Sequence, residues 1–529
     1  MANYTVINAA GTQNVYGNAV SATINANGQQ IIFSDGIASN TTINNQGQQT
    51  ISSGGLSISA TINSGGNQNV RTAGSASGTT INAGGYQNVS SGGTVSGTTI
   101  NSGGVLRVSS GGAKAYSVVQ NSGGNVNFYV KYNDSSYITG TNQNGEAMLL
   151  ENGVASNFIL NSGGRQLVSS GGIARNTVVN NGGMQTVHSK GRTSGTIVNE
   201  GGNQTVYANG TASSTMVNES GTQVVYGTAS NTTINDQGQQ IISSGGLSIS
   251  ATINSGGSQH IKSSGVASYT TISIGGWQFV SAGGSAVSNI VGSGGKMAVH
   301  DGGVVSNTVI EDNGEISVSD GGETHGLTIS GIQTITSGGR DYDGTIVNSG
   351  EQHIESSGSA IRTAINSGGN QFVSDGGSAI SATIYQYGTQ TVYAGGVADT
   401  TTVNNGGWQI INATGTANYT YLSGGSQTVS SLGTANSTFI YESGIQTVSA
   451  GGLANYTVIN ATGTQNVYGS AVSTTINEHG VQNVLAGGVA EFTDVNSLGV
   501  QNVHESGLAI STAVHSGGAQ YVLYGGTAT

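Results

Sequence analysis

One phrase of about 19 residues recurs along most of this chain. Residues 60–79 read ATINSGGNQNVRTAGSASGT, and residues 80–98 repeat the phrase as TINAGGYQNVSSGGTVSGT. Gln49, Gln68 and Gln87 occupy the same place in three successive copies. Such a fixed period is the signature of a repeat architecture, in which chain length no longer sets the number of domains.

The Gln position can be followed through all 529 residues, and its interval is usually 19 and shortens to 17 at four places. Counting the copies in which Gln is replaced, we predict about 28 coils of about 19 residues. We expect residues 1–529 to form one continuous solenoid segment. Met1 looks like an added start, so we expect the chain to be an excised piece of a longer protein.

Short β-strands fit this phrase and helices do not. Glycine pairs recur every eight to ten residues, and each glycine would cost a helix about 1 kcal/mol relative to alanine. The pieces between them are rich in Val, Ile, Thr and Tyr, which favour strands. The sequence therefore predicts an all-β parallel solenoid whose coils are stacked about 4.8 Å apart.

Stacked coils place equivalent residues in columns. We expect an apolar core column of Ile43, Ile62, Ile81 and Ile100, and strict alternation would also put Leu56, Ile58, Ala60 and Ile62 on one face. The Gln column and the column of Asn44, Asn63, Asn82 and Asn101 are expected to form amide ladders. The pattern alone leaves open whether the Gln column points inward.

The composition excludes several classes of function. The chain has no Cys and no Pro, and its net charge is −12 with 12 Lys and Arg. Disulfides and zinc–thiolate sites are therefore excluded, and a chain without a basic patch is not expected to bind nucleic acid. No stretch of about 18 apolar residues predicts a membrane-spanning helix.

The repeat is interrupted once, at residues 125–152, where Tyr129, Lys131, Tyr132 and Tyr137 replace the usual phrase. This segment is predicted to be an irregular coil or a loop inserted in the solenoid. A degenerate coil is the simpler interpretation. A loop at such a break is also a favourable place for a specific binding site.

No local pattern predicts a catalytic or metal site. Asp301 and Asp320 occupy the same place in successive copies and would stack, which suits either solvated turn carboxylates or a cation held between them. The eight histidines lack an H-x-x-x-H pair. We therefore predict no enzyme activity, no cofactor and no metal. Trp277 and Trp408 precede Gln and are expected opposite the Gln face, where they could stack on sugars or on another solenoid.

The phrase SGG-x-Q-x-V-x-SGG-x-A-x-x-T-x-I-N resembles the repeat of AIDA-type autotransporter adhesins, which has the same period. It is plain at residues 64–70 and again at residues 169–177. The resemblance extends over the chain except for residues 125–152. It implies a passenger domain folded as a right-handed parallel β-helix, exported to the surface of a Gram-negative bacterium by a C-terminal outer-membrane barrel that this chain lacks.

The resemblance also implies a function. Family members act in adhesion to host cells, autoaggregation and biofilm formation, which implies like passengers and a host receptor or glycan as partners. Some carry heptoses on repeat Ser or Thr, added by a protein heptosyltransferase. The matching acceptor candidates are the turn serines Ser64, Ser91, Ser102, Ser110, Ser162, Ser170, Ser255 and Ser367.

Two other functions fit the same repeat. A carbohydrate-active β-helix enzyme would need carboxylates that converge in a cleft. A glycosyltransferase substrate that serves as a spacer would not bind cells by itself.

Overall fold

The computed structural model describes residues 2–262, 264–281 and 283–529. Met1, read above as an added start, lies outside the described residues. Every regular element in the described part of the chain is a β-strand, most of them two to four residues long. The chain forms a parallel β-solenoid of about 28 turns of about 19 residues, as the sequence predicts. Its residues cluster into two units, 1–260 with 265–267, and 261–264 with 268–529.

One coil contains three strands that recur in the others. The Gln strand is Asn67–Val70, the Ala strand is Ser75–Ser77 and the Ile strand is Thr80–Ile81. Each pairs in parallel with the equivalent strand of the adjacent coil, so Gln68 lies between Gln49 and Gln87 and Ile62 lies beside Ile81. A single repeated phrase thus fixes the register of all three faces, because a slip would misplace every inward side chain.

One Gln strand in each coil pairs with the Gln strands of the adjacent coils, so these strands mark the successive coils of each unit. In the first unit they are Thr12–Val15, Gln29–Ile32, Gln48–Ile51, Asn67–Val70, Tyr86–Val89, Val105–Val108, Asn125–Lys131, Arg165–Ser169, Met184–Val187, Asn203–Val206, Thr222–Val225 and Gln239–Ile242. In the second they are Trp277–Val280, Lys296–Val299, Glu315–Val318, Ile332–Ile335, Glu351–Ile354, Asn370–Val373, Thr389–Val392, Trp408–Ile411, Ser426–Val429, Ile445–Val448, Thr464–Val467, Val481–Val484, Val500–Val503 and Ala519–Val522.

The core is narrow and dry. The predicted column of Ile43, Ile62, Ile81 and Ile100 is fully shielded from solvent. Burying one such side chain contributes roughly 2–3 kcal/mol before the cost of ordering the chain. Because an apolar residue recurs at this position in most coils, stability accumulates from neighbour to neighbour along the solenoid.

The prediction that Leu56, Ile58, Ala60 and Ile62 share one inward face is wrong for the first two residues. Ala60 and Ile62 are buried, but Ile58 is 36% exposed and the inward residue of that strand is Ser57. Ser59 lies between the two strands with φ of 54°, and this left-handed corner breaks the strict alternation. The small Ser57 or its alanine equivalents fill the core at this point.

The Gln column points inward. Gln49, Gln68 and Gln87 are fully buried, and each Nε2 donates to Oε1 of the preceding Gln at 2.6–2.7 Å. Thr79 Oγ1 donates to Gln68 Oε1 at 3.3 Å. The amides of Gln49, Gln68 and Gln87 are thus satisfied by their neighbours, which is the condition for a polar group to lie in an apolar core.

Candidate functional site

The first candidate surface is the turn that joins an Ile strand to the next Gln strand, called here the Ile corner. In residues 63–66, Gly66 N donates to Asn63 O at 2.9 Å, and Gly65 has φ of 71°. A Cβ at Gly66 would lie 2.4 Å from Ile43 O. Gly66 is therefore required by the coil below, glycine suits the left-handed position of Gly65, and Ser64 is left exposed at the tip.

Adjacent Ile corners stack on one another. Gly65 N donates to Gly84 O at 2.8 Å, and Asn82 Nδ2 donates to Asn63 Oδ1 at 2.9 Å. The Asn ladder predicted for Asn44, Asn63, Asn82 and Asn101 is present, with distances of 2.9–3.0 Å. Serines at this corner are thus held on a stiff backbone at intervals set by the coil spacing of about 4.8 Å.

The second candidate surface is the turn that joins a Gln strand to the next Ala strand, called here the Gln corner. In residues 90–93, Gly93 N donates to Ser90 O at 2.9 Å and Gly92 has φ of 73°. Ser91 takes the tip position that Ser64 takes at the Ile corner, and it is exposed. The same Ser-Gly-Gly tripeptide therefore builds an equivalent hydroxyl-bearing tip on two edges of the solenoid.

The eight acceptor candidates are all exposed, and the structure divides them between these two corners. The Ile corner carries Ser64, Ser102, Ser162, Ser255 and Ser367, and the Gln corner carries Ser91, Ser110 and Ser170. They do not converge on one site. They form repeated surface positions, which suits modification from outside the chain.

The set of candidates omitted serines that have the same placement. Ser53 and Ser244 are exposed at Gln corners, and Ser122, Ser293 and Ser516 are exposed at Ile corners. All of them precede Gly-Gly, so the tripeptide was a sufficient signal to find them. Ser57 and Ser248, in contrast, are fully buried beside the Gln ladder, where they donate to Gln49 and Gln240 Oε1.

The titratable surface groups form local pairs. His300 Nδ1 lies 2.8 Å from Asp301 Oδ2, and Lys296 Nζ lies 2.8 Å from Glu315 Oε2. Asp301 and Asp320 are exposed turn residues. Within residues 2–262, 264–281 and 283–529 no group of three or more His, Asp or Glu side chains is placed to hold a metal ion. The same residues include no helix that is long and apolar enough to cross a membrane.

The two tryptophans lie on the outer face of their Gln strands, as the alternation predicts. Trp277 is 38% exposed and Trp408 is 45% exposed. Lys296 Nζ lies 5.6 Å from the Trp277 ring centroid, and Tyr387 packs against Trp408 at 6.5 Å between centroids. Both rings already have partners in adjacent coils.

The break at residues 125–152 contains a β-hairpin. Tyr137–Thr141 pairs antiparallel with Ala147–Glu151, which pairs antiparallel with Val154–Ser156. The Phe128 and Phe158 rings fill the core beside it, with centroids 4.2 Å apart. The segment therefore adds antiparallel strands to an otherwise parallel sheet.

The Gln face changes register at this break. Leu106 pairs with Val126, but Phe128 pairs with Gln166, so the strand Asn125–Lys131 is offset by two residues, or about 6.6 Å, between its two neighbours. Val126 and Phe128 both point inward, which the seven-residue length of this strand allows.

Two asparagine side chains replace the backbone partners that the offset removes. Asn125 Nδ2 donates to Ser162 O at 2.7 Å, and its Oδ1 accepts from Asn161 N at 2.9 Å. Asn127 Oδ1 accepts from Arg165 N at 2.7 Å. This satisfies backbone groups that would otherwise lose their partners at the step.

One carboxyl group is buried in the second unit. Asp341 occupies the core position of an Ala strand and is fully buried. Thr324 Oγ1 donates to its Oδ1 at 2.6 Å, and Gln352 Nε2 donates to its Oδ2 at 2.9 Å. Burial raises the pKa of Asp341 above its ordinary value of 3.8, and these hydrogen bonds oppose that rise only in part. The repeat pattern did not single out this residue, because Asp341 replaces a core alanine within an ordinary copy of the repeat.

The repeat is shared with known proteins. The family model described as adhesin of bacterial autotransporter system, probable stalk, matches residues 24–85 and 139–202. A crystal structure of a TibA fragment hyper-glycosylated by TibC is 33% identical to this chain. The match covers 60% of this chain and 96% of the fragment, with a TM-score of 0.31.

A circular leucine-rich-repeat protein, CroV588, matches 94% of this chain and 76% of its own, at 10% identity and a TM-score of 0.20. No curated protein matches this chain. The repeat phrase, the match to the stalk model and the sequence identity to TibA together show that this chain belongs to the family of AIDA-type autotransporter adhesins.

Proposed function

We propose that this adhesin passenger is a non-enzymatic, heptosylated surface protein of a Gram-negative bacterium. In this proposal it mediates host-cell adhesion, autoaggregation and biofilm formation. The observation that carries it is the placement of the Ser-Gly-Gly serines at exposed, stacked corners. The related TibA fragment is hyper-glycosylated by TibC, which supports a protein heptosyltransferase as the modifying partner of this chain.

The corners suit such an enzyme because each acceptor is presented in the same way. Ser64 and Ser102 share their turn geometry, their flanking glycines and their exposure. An enzyme that recognises one Ser-Gly-Gly tip can therefore act on many. The sugars would cover two edges of the solenoid and leave its core unaffected.

Adhesion follows from repetition. Each corner or polar ladder offers a weak contact, and a second solenoid or a cell surface can engage many of them at once. Linked weak contacts gain affinity through effective concentration. Self-association with like passengers and attachment to a host receptor or glycan would both use this multivalency.

The proposal is tested with beads coated with the chain, prepared with and without a co-expressed protein heptosyltransferase. We expect sugar on exposed serines such as Ser64 and Ser91, none on the buried Ser57 and Ser248, and bead aggregation that depends on the chain. Coated beads that stay dispersed and bind no host cells, in either form, would contradict adhesion and leave the spacer interpretation.

A further inference from the structure

The register step at the hairpin opens a groove on the outer face of the Gln strands in the first unit. Its volume is about 860 Å³, and its walls include Tyr86, Arg107, Asn127, Tyr129 and Arg165. All five side chains belong to Gln strands at outward positions. The volume falls within the range of about 300–1,000 Å³ that is typical of small-molecule sites.

The groove is positive in an acidic chain. It holds two of the 12 Lys and Arg residues of a protein whose net charge is −12. None of the described residues that line it is an Asp or Glu, and in the described part of the chain neither Arg107 nor Arg165 forms an ion pair. Both guanidinium groups are therefore free to pair with an anion from outside.

The guanidinium of Arg107 is held in place by a ring. Its Cζ lies over the Tyr86 ring, 4.6 Å from the ring centroid, and this cation–π contact restrains the guanidinium at the wall of the groove. Arg107 is also the register partner of Asn127, whose side chain accepts the backbone N–H of Arg165. The two arginines thus flank Asn127, about two strand spacings apart.

The remaining walls suit a ring-shaped polar ligand. Tyr129 is 48% exposed and presents an aromatic face with a hydroxyl at its edge. Asn127 is only half-buried, and its amide is the polar group between the two arginines. Planar bidentate donors select carboxylate oxygens, and an aromatic wall selects a ligand with an apolar face.

We propose that this groove binds an acidic oligosaccharide, with the sugar carboxylate held by Arg107 and Arg165 and a sugar ring packed against Tyr129. Apart from Ser162 at its rim, the site shares no residue with the corner serines that are proposed to carry sugar. This binding proposal rests on the proposed function only because an adhesin at a cell surface is exposed to acidic sugars. Failure of the groove to bind sugar would not change the mass of the sugars attached to the corner serines. The groove proposal and the glycosylation proposal are therefore tested independently.

One corner serine lies at the rim. Ser162 is both an acceptor candidate and part of the groove wall. A heptose on Ser162 would narrow the entrance, so the binding experiment uses the full chain produced without a heptosyltransferase. The Ser162→Ala variant, produced with the enzyme, then restores binding if this single sugar obstructs the site.

Binding is measured by isothermal titration calorimetry with three probes: sialyllactose, a glucuronic-acid tetrasaccharide and neutral lactose. We expect at least one acidic probe to bind and lactose not to bind. Which acidic probe binds separates a host-type sialylated sugar from a uronic-acid polymer. The Arg107→Gln and Arg165→Gln variants should each weaken binding about tenfold or more, because each removes charge-assisted hydrogen bonds.

The matched control is Arg71→Gln, which removes the same charge from an exposed arginine outside the groove wall. It should leave affinity within about twofold. Circular dichroism of all variants should be unchanged, since these side chains point to solvent. Absence of binding by both acidic probes at millimolar concentration, equal binding of lactose, or an equal effect of Arg71→Gln would overturn the proposal.

Discussion

Gln68 Nε2 donates a hydrogen bond of 2.6 Å to Oε1 of Gln49 in the preceding coil, and both side chains are fully buried. The second N–H of Gln68 reaches Ser57 Oγ at 3.1 Å. A ladder of this kind specifies the stacking of coils, because each amide is satisfied only when its neighbour is in register. Similar ladders run from Gln166 to Gln259 and from Gln333 to Gln520.

Replacing an amide inside a ladder should be costly. Gln371 donates to Gln352 and accepts from Gln390, each at 2.7 Å. Gln371→Met resembles the natural Met297 in volume but leaves the Gln390 N–H without its acceptor. We expect a loss of about 1–3 kcal/mol in the free energy of unfolding, measured by urea denaturation.

The control for this experiment is Gln520→Met. Gln520 donates to Gln501 at 2.7 Å and is only half-buried. Its substitution should cost less than about 1 kcal/mol, since water can replace the lost partner. Equal losses at Gln371 and Gln520 would show that the ladder does not contribute through buried amide pairing.

The buried Asp341 should make stability depend on pH. Its folded pKa is raised above 3.8 by burial, so between 3.8 and the folded pKa the native state holds a proton that the unfolded chain has lost. Its contribution is therefore greatest below 3.8 and declines as pH rises to the folded pKa. Asp341→Asn should raise the free energy of unfolding at pH 8 by about 1 kcal/mol or more.

An asparagine fits the same contacts. Its Oδ1 can accept from Gln352, its Nδ2 can donate to Thr324 Oγ1, and that hydroxyl can donate to Arg340 O, which lies 3.3 Å away. The difference between variant and parent should shrink toward pH 4. A difference that is constant from pH 4 to pH 8 would rule out titration of Asp341 as its source.

A glycine at the Ile corner should resist substitution. A Cβ at Gly66 would lie 2.4 Å from the carbonyl oxygen of Ile43, a backbone atom that cannot move alone. Gly66→Ala is expected to cost about 1–3 kcal/mol and to lower the melting temperature. Gly17→Ala is the control because nothing lies within 4 Å of its Cβ position, and a similar loss there would contradict the steric explanation.

The core beside the hairpin should depend on its aromatic pair. Phe158 is 1% exposed and its ring contacts that of Phe128. Phe158→Ala should lose about 3–5 kcal/mol through lost burial and the cavity left behind. Phe492, which is 57% exposed, serves as the control. Its alanine variant should change the urea midpoint little, and an equal change would argue against a packed core at the hairpin.

Much of the fold could be predicted from the repeat, because its period indicates short parallel strands and sets the register between adjacent coils. The Ile column and the Asn ladder followed directly from that period. The outward position of Ile58 was not predicted, because a serine at position 59 does not by itself indicate a left-handed residue. Gly78 and Gly97 occupy the same corner in the next two coils and were the available signal. The inward direction of the Gln side chains could not be predicted from the pattern alone, because a buried amide is favourable only where the Gln of the adjacent coil satisfies it.

The site could be predicted only in part. Exposure of the Ser-Gly-Gly serines followed from the turn chemistry, but their division between two corners depends on which strands each turn joins. The groove could not be foreseen, because it depends on a two-residue register step compensated by Asn125 and Asn127. The burial of Asp341 could not be predicted either, since the residues around it follow the usual repeat and it takes the place of a core alanine.

The proposed sugars on the corner serines are tested by intact mass measurement, followed by peptide mapping, of the protein isolated from its own host. We expect a mass excess in steps of one heptose residue, located on exposed serines such as Ser64, Ser91 and Ser367. A single unmodified mass, or sugar on none of the corner serines, would contradict it.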